Sequence, residues 1–239
     1  APSRGLGDVY KRQEKDVIAA EIEVLKTMGV EFRFGIDVGS DVTIQQLRDE
    51  GYKAFYIAIG ARGGRMAGVP GEDAKGVMSG IEFLNKVNKD EEHMKLSGKT
   101  VVIGGGNVAM DVARTALRAG SDDVSMYCLE SRDEMPAAKD EIEEALEENI
   151  SINNGWGPKE IITENGRVKA VVLKKCTSVF NAEKRFAPVY DENDTITIEC
   201  DNVLLSIGQQ IIWGNLLAGT KVEPVSYTHL RAHETELHL

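Results

Sequence analysis

Gly104, Gly106 and Ala109 stand at the spacing G-x-G-x-x-G/A within Gly104-Gly105-Gly106-Asn107-Val108-Ala109. An apolar run, Thr100-Val101-Val102-Ile103, precedes them, and a helical pattern follows from Asn107 to Arg118. Each small residue has a physical task in such a turn. Gly104 permits the sharp exit from a strand, Gly106 lets a diphosphate approach the backbone, and Ala109 lets the helix pack close to the strand. The helix start then offers free N–H groups and a positive dipole end to the anion. Gly105, Asn107 and Val108 complete the turn. The chemistry predicted for this constellation is dinucleotide binding.

A second group lies at the end of the next expected strand, Asp123 to Leu129. Glu130 there can accept hydrogen bonds from the hydroxyls of an adenosine ribose, and its charge repels a 2′-phosphate. That favours NADH over NADPH. Ser131 and Arg132 follow, and Arg132 could instead pair with a 2′-phosphate. No acid–base or nucleophilic catalyst is expected. Three of the four histidines fall within residues 226–239, leaving His93. Cys128, Cys176 and Cys200 form no C-x-x-C pair and read as core fillers, so neither a metal site nor a thiol relay is expected.

Composition narrows the partners. The net charge of -11 opposes nucleic-acid binding, which needs a basic face. The acidic run at Lys139–Glu148 reads as a solvated helix face. No run of about 18 apolar residues is present, so no membrane partner is expected, and the free cysteines suit a reducing compartment.

The elements that must position these groups can be read from periodicity. Residues 15–28 have an amphipathic helical pattern through Ile18, Ile22 and Leu25. Residues 30–34 alternate like a strand. Thr43 to Glu50 is a short helix stopped by Gly51. Residues 54–59 form a continuous apolar run ending at Gly60, as a strand buried on both faces would. Residues 61–78 are a glycine- and proline-rich connector, and Ser79 to Val87 is a helix. Asp133 to Glu148 reads as one acidic helix. Lys159–Ile162 and Val168–Lys175 flank Glu164-Asn165-Gly166 as a hairpin. Thr195–Glu199 and Val203–Ile207 are further strands.

At the level of motifs, Val102 through Asp111, with Ala113-Arg114-Thr115-Ala116 behind it, resembles the pyridine-nucleotide domain of the glutamate synthase small subunit and its relatives. These belong to the superfamily of FAD-dependent pyridine nucleotide-disulfide oxidoreductases. Glu134-Met135-Pro136-Ala137 resembles the same family, as does the block from Lys15 to Phe32. Ala58-Ile59-Gly60-Ala61 and Ser206-Ile207-Gly208-Gln209 resemble its two turns where the chain crosses between FAD and nucleotide domains. The resemblance spans nearly all of residues 15–210. It implies sites for NAD(P)H and FAD, with Asp111, Gly60, Ala61, Ile207 and Gly208 joining the glycine turn as cofactor-binding residues. It implies hydride transfer from nicotinamide to FAD, and then electron delivery through iron–sulfur clusters to a larger catalytic or electron-accepting subunit. Family members that use NADPH tend to carry adjacent arginines just after the second strand of the nucleotide domain, a region that reads Tyr127-Cys128-Leu129-Glu130-Ser131-Arg132 in this chain.

The expected architecture is therefore α/β: a three-layer, Rossmann-like NAD(P)-binding domain at 98–200, inserted into a partial FAD-binding domain at 14–97 and 201–225, with an added β-hairpin or meander. The FAD-binding glycine turn is expected before residue 15, the iron–sulfur cysteines further upstream, and the segment closing over FAD after residue 225. Residues 1–13 and 226–239 lack periodicity, resemble translated sequencing-adapter read-through, and are expected to be non-native or disordered tails. As a fragment, the chain is expected to be inactive alone. A related subunit delivering electrons to ferredoxin or another acceptor fits the same residues. So does a non-catalytic NAD(H)-sensing module, although the two crossover turns argue for a second dinucleotide domain.

Overall fold

A computed structural model describes residues 15–89 and 94–222, and the two expected tails lie outside them. The chain divides into two compact units, one built from residues up to Tyr56 and from Trp213 onward, the other from Ile57–Ile212.

The second unit is organised by a five-stranded parallel sheet: β2 (Val77–Ser79), β3 (Lys99–Ile103), β4 (Asp123–Cys128), β5 (Ser151–Asn154) and β9 (Asn202–Leu205), in the order β2-β9-β3-β4-β5. Its side chains alternate between two faces. Val102, Met126 and Leu204 enter a core with α3 (Gly80–Lys89), α4 (Asn107–Arg118) and α5 (Lys139–Glu147). Val101, Ile103, Tyr127, Val203 and Leu205 enter a second core on the other face. That face is covered by an antiparallel sheet of β6 (Trp156–Glu164), β7 (Arg167–Phe180) and β8 (Phe186–Glu199), through Ile161, Val171 and Leu173. Both faces of the central strands β3 and β9 are buried, as the middle of a parallel sheet requires. The result is a three-layer, Rossmann-like α/β fold whose third layer is the expected meander.

Several expected elements hold closely. The helix expected at Asn107 to Arg118 is α4. The first unit contains α1 (Lys15–Thr27) and α2 (Ile44–Asp49), and Thr43 caps α2 in a reciprocal capping box with Gln46. The hairpin forms around Asn165 (φ 52°) and Gly166 (φ 75°), both left-handed as a two-residue type I′ turn needs. Its strands run longer than expected.

Three expectations are corrected. Residues 30–34 and 54–59 form no strands. A strand needs a neighbouring ladder, and neither segment has one among the described residues; Tyr56 is 95% exposed and Ile57 40%. The single acidic helix at 133–148 is two pieces: a 3-10 turn at Arg132–Glu134, then α5. Pro136 lies between them, where a continuous helix would clash with the proline ring. Strand β5 was not expected, because Ser-Ile-Asn-Asn has little of the composition of a strand.

The acidic face of α5 is not simply solvated. Arg114 on α4 donates to Glu144 at 2.6 Å and to Glu148 at 2.8 Å, with Glu141 3.5 Å away. Arg118 adds a second contact to Glu148 at 2.6 Å. At the other end of the sheet, Ser121 donates to Thr100, and Asn202 donates to both Thr100 and the Ser97 carbonyl. That network ties together the starts of β3 and β9 and the approach to β4.

The β8 edge is interrupted. Lys174 pairs with Thr195 but Lys175 pairs with Asp191, so Glu192, Asn193 and Asp194 bulge outward. Lys174 Nζ holds Glu192 at 2.6 Å across this bulge.

Arg114→Ala should lower the unfolding free energy by about 1–2 kcal/mol, since its side chain is only 19% exposed and serves several carboxylates. A drop in the urea midpoint at unchanged slope is the expected reading.

Candidate dinucleotide site

Strand β3 ends at Ile103 and the chain turns at Gly104, whose φ of +142° suits only glycine. A Cβ at Gly104 would overlap the Ser206 carbonyl. The Gly104 N–H donates to the Tyr127 carbonyl at 2.9 Å, and the Ser206 N–H donates to the Ile103 carbonyl at 2.7 Å. The turn is therefore wedged between the ends of β4 and β9.

The next two glycines differ sharply in their surroundings. A Cβ at Gly105 would lie 2.9 Å from Glu130 Oε2 and 3.0 Å from Cys128 Cβ. At Gly106 the nearest atom is Pro136 Cγ at 4.0 Å. Gly105 is closed by protein, and Gly106 faces open space. Gly106 is also the N-cap of α4 and has no side chain to cap with; the Ala109 N–H turns back to the Gly106 carbonyl at 2.9 Å, and the Asn107 and Val108 N–H groups are left for another acceptor. Ala109 is fully buried beneath the turn, where a larger residue would push α4 off the sheet. Val108 is half-buried, Asn107 is exposed, and Asp111 lies a turn further into α4, half-buried. These residues fit a diphosphate by shape and by donor chemistry.

Glu130 leaves the end of β4 with its carboxylate against Gly105, and its carbonyl accepts from Asn154 Nδ2 at 2.9 Å. Sequence reasoning missed Asn154, because β5 carried no strand signal. Ser131 Oγ donates to Glu134 Oε2 at 2.6 Å, and Arg132 is exposed in the 3-10 turn. The backbone of Ala137 and Ala138 was missed as well: Ala137 N–H donates to the Gly105 carbonyl at 3.1 Å, and Ala138 N–H to Asn107 Oδ1 at 2.7 Å. Pro136 was the available signal that the chain stops being helical there.

The two crossover turns are brought together. Gly60 and Ala61 lead into β1 (Gly63–Gly64), and Ile207 and Gly208 lead into β10 (Gln209–Gln210). These strands pair antiparallel, Gly63 with Gln210 and Gly64 with Gln209, and the Gly208 carbonyl accepts from Arg65 N–H at 3.1 Å. Since Ser206 touches Gly104, the second crossover departs directly from the glycine turn. Gly60 itself is exposed, with nothing near its Cβ position. Among the described residues, the strand–glycine turn–helix cradle at 103–109 occurs once.

All three thiols are buried. Cys128 is pushed up to about 12, chiefly by burial and then by the nearby Glu130 carboxylate. Burial also pushes Cys200 up to about 12, with Asp201 adding to it. A thiol relay has no reactive member in Cys128 or Cys200. Trp156 packs against the meander-side core, and Lys175 Nζ lies 4.6 Å above its ring.

This arrangement, a parallel sheet whose central strand runs through an open glycine notch into a helix, is that of a Rossmann-like nucleotide-binding unit. The model of the pyridine nucleotide-disulphide oxidoreductase family matches residues 4–219, and the chain belongs to that family. It is 37% identical over 203 residues to the NADP(+)-dependent formate dehydrogenase subunit beta of Moorella thermoacetica, covering 83% of this chain and 28% of that protein. It is 31% identical to the NADPH-Fe(3+) oxidoreductase subunit beta of Geobacter sulfurreducens, covering 83% and 30%. It is 34% identical over 171 residues to the glutamate synthase [NADPH] small chain of Escherichia coli, covering 67% and 36%. The chain thus spans about a third of the length of these curated relatives. Among solved structures, Mycobacterium tuberculosis FprA in complex with NADPH superposes with a TM-score of 0.68 at 20% identity, covering 83% of this chain and 60% of that one, which is a likeness of fold.

Cys128 and Cys200 should resist iodoacetamide at pH 8 in the folded chain and react quickly in urea. As pH rises from about 9 towards 12, unfolded thiols ionise while these two stay protonated, so the unfolded state binds fewer protons and stability falls. Rapid alkylation of either residue without denaturant, followed by mass spectrometry, would count against this.

Proposed function

We propose that the chain is the NAD(P)H-binding part of a flavoprotein oxidoreductase subunit of glutamate synthase small-subunit type. The observation that carries this reading is the open space at Gly106, directly after two glycines that protein atoms close off. The diphosphate lies at Gly106 against the N–H groups of Asn107 and Val108. Gly104, Gly105 and Ala109 give the turn its shape. Glu130 receives the adenosine ribose, with Ser131 and Arg132 beside it and Asp111 behind the first turn of α4. When bound, the nicotinamide supplies a hydride that reduces a flavin. This chain's own residues bind, orient and select the dinucleotide. The nucleotide domain expected at 98–200 is wider, because β2, α3 and β9 share its sheet and core. The rest of residues 14–97 and 201–225 contributes to a FAD domain, and Gly60, Ala61, Ile207 and Gly208 form the passage between the two.

The carboxylate of Glu130 makes NADH the preferred dinucleotide, because it would meet a 2′-phosphate at close range. The whole protein hands its electrons, through iron–sulfur clusters outside this sequence, to a larger partner subunit in the cytoplasm. One observation supports a second reading of the acceptor. The formate dehydrogenase and Fe(3+) oxidoreductase relatives are each named a subunit beta, which supports an acceptor other than that of glutamate synthase.

Titration calorimetry of the 239-residue chain with NADH and with NADPH tests the core of the proposal. Gly106→Val should fold normally, since its φ of -94° and ψ of 174° suit valine, yet lose binding of both dinucleotides. Retained binding would move the diphosphate elsewhere. Glu130→Ala should weaken NADH by about tenfold and narrow its advantage over NADPH, the size expected for charge-assisted hydrogen bonds to a ribose. An unchanged ratio of the two affinities would remove Glu130 from the site.

A further inference from the structure

Asn107 opens α4 at the rim of the Gly106 notch with an exposed side chain, where a polar group would be expected to face the ligand. Its Oδ1 is committed elsewhere, accepting the Ala138 N–H at 2.7 Å. One residue earlier, the Ala137 N–H donates to the Gly105 carbonyl at 3.1 Å. Two successive amides thus fasten the same point of the chain to the same glycine turn. Ala138 is the N-cap of α5 and has no side-chain cap of its own.

The segment so fastened begins at Glu130, whose carbonyl is held by Asn154 at 2.9 Å. Within it, the Glu134 N–H donates to the Ser131 carbonyl at 3.1 Å, and Ser131 Oγ donates to Glu134 Oε2 at 2.6 Å. Met135 and Ala137 are buried in the helix-side core, and Pro136 approaches the Cβ position of Gly106. Residues 131–138 are therefore a braced strap, anchored at its start by Asn154 of β5 and at its end on the glycine turn, which presents the exposed Arg132 two residues from Glu130.

We propose that the Asn107 side chain is a positioning group: while the Asn107 N–H faces the diphosphate, the side chain fastens the 131–138 strap beside the Gly106 notch and so sets the choice between NADH and NADPH without itself touching the dinucleotide. The proposal rests on the dinucleotide reading above. With the clasp closed, Arg132 is held in the 3-10 turn and the Glu130 carboxylate stays against Gly105. With it open, Arg132 can swing to a 2′-phosphate and offset the repulsion from Glu130. Asn107 then acts on the ribose end of the ligand through a hydrogen bond made at the diphosphate end.

The clasp can be broken from either side. Asn107→Ala removes the acceptor. Ala138→Pro removes the donor and little else, because Ala138 is exposed and already has φ -62° and ψ 144°, within the range of proline. NADH and NADPH affinities of the 239-residue chain are measured by calorimetry for each variant and for the pair combined. Each single change should reduce the NADPH-to-NADH ratio of Kd by about fivefold, the effect of one hydrogen bond. The combined variant should show no further loss, because both changes break the same bond. If Asn107→Ala weakens both dinucleotides equally while Ala138→Pro leaves them unchanged, Asn107 is a direct ligand and the proposal fails. Additive effects in the combined variant overturn it too. Failure of the dinucleotide reading itself shows differently, as no heat from either ligand in the unsubstituted chain, and takes this proposal with it.

Discussion

Gly104 rests against the carbonyl of Ser206 with no room for a Cβ between them. That contact lets β3 and β9 come together at their carboxyl ends and still release two chains in different directions. One chain becomes α4, and the other becomes the crossover that pairs Gln209 and Gln210 with Gly64 and Gly63. A methyl group at this point would force the strands apart and tilt α4 away from the sheet. The notch at Gly106, the seat of Glu130 beside Gly105 and the anchoring of the strap all depend on the turn keeping its shape.

Burial on both faces explains why the central strands could be read so readily. Val101, Val102 and Ile103 are a continuous apolar run because helices take one face and the meander takes the other. The glycine turn was legible for a related reason: no other residue type meets the crowding at Gly104 and Gly105. The same logic misled at residues 54–59. That run is as apolar as β3, but it has no neighbouring strand among the described residues, and composition cannot report whether a ladder is present. Strand β5 shows the converse. Its Asn153 and Asn154 look like turn residues, yet each donates a side-chain hydrogen bond to the end of β4.

What the sequence concealed at the site was a set of backbone donors. The residue names Ala137 and Ala138 suggest nothing, and their function lies in two N–H groups aimed at the glycine turn. Family likeness pointed to Glu134-Met135-Pro136-Ala137 without supplying a reason for it. The reason is that proline ends the 3-10 turn and directs the following amides back toward α4. The acidic run of α5 was similarly half legible. Its charges looked like solubility, and three of its carboxylates prove to surround Arg114.

The bulge at Glu192–Asp194 has a consequence for how the molecule behaves in company. An edge strand of fourteen residues exposes a row of unpaired amides and carbonyls that could template a strand from a neighbouring molecule. Here the row is broken midway by three polar residues pushed out of register, with Glu192 held in place by Lys174. An incoming strand would lose its ladder after a few residues and bring its backbone against acidic side chains. The meander can therefore be long enough to shield one whole face of the nucleotide-binding sheet without becoming a seed for fibrils.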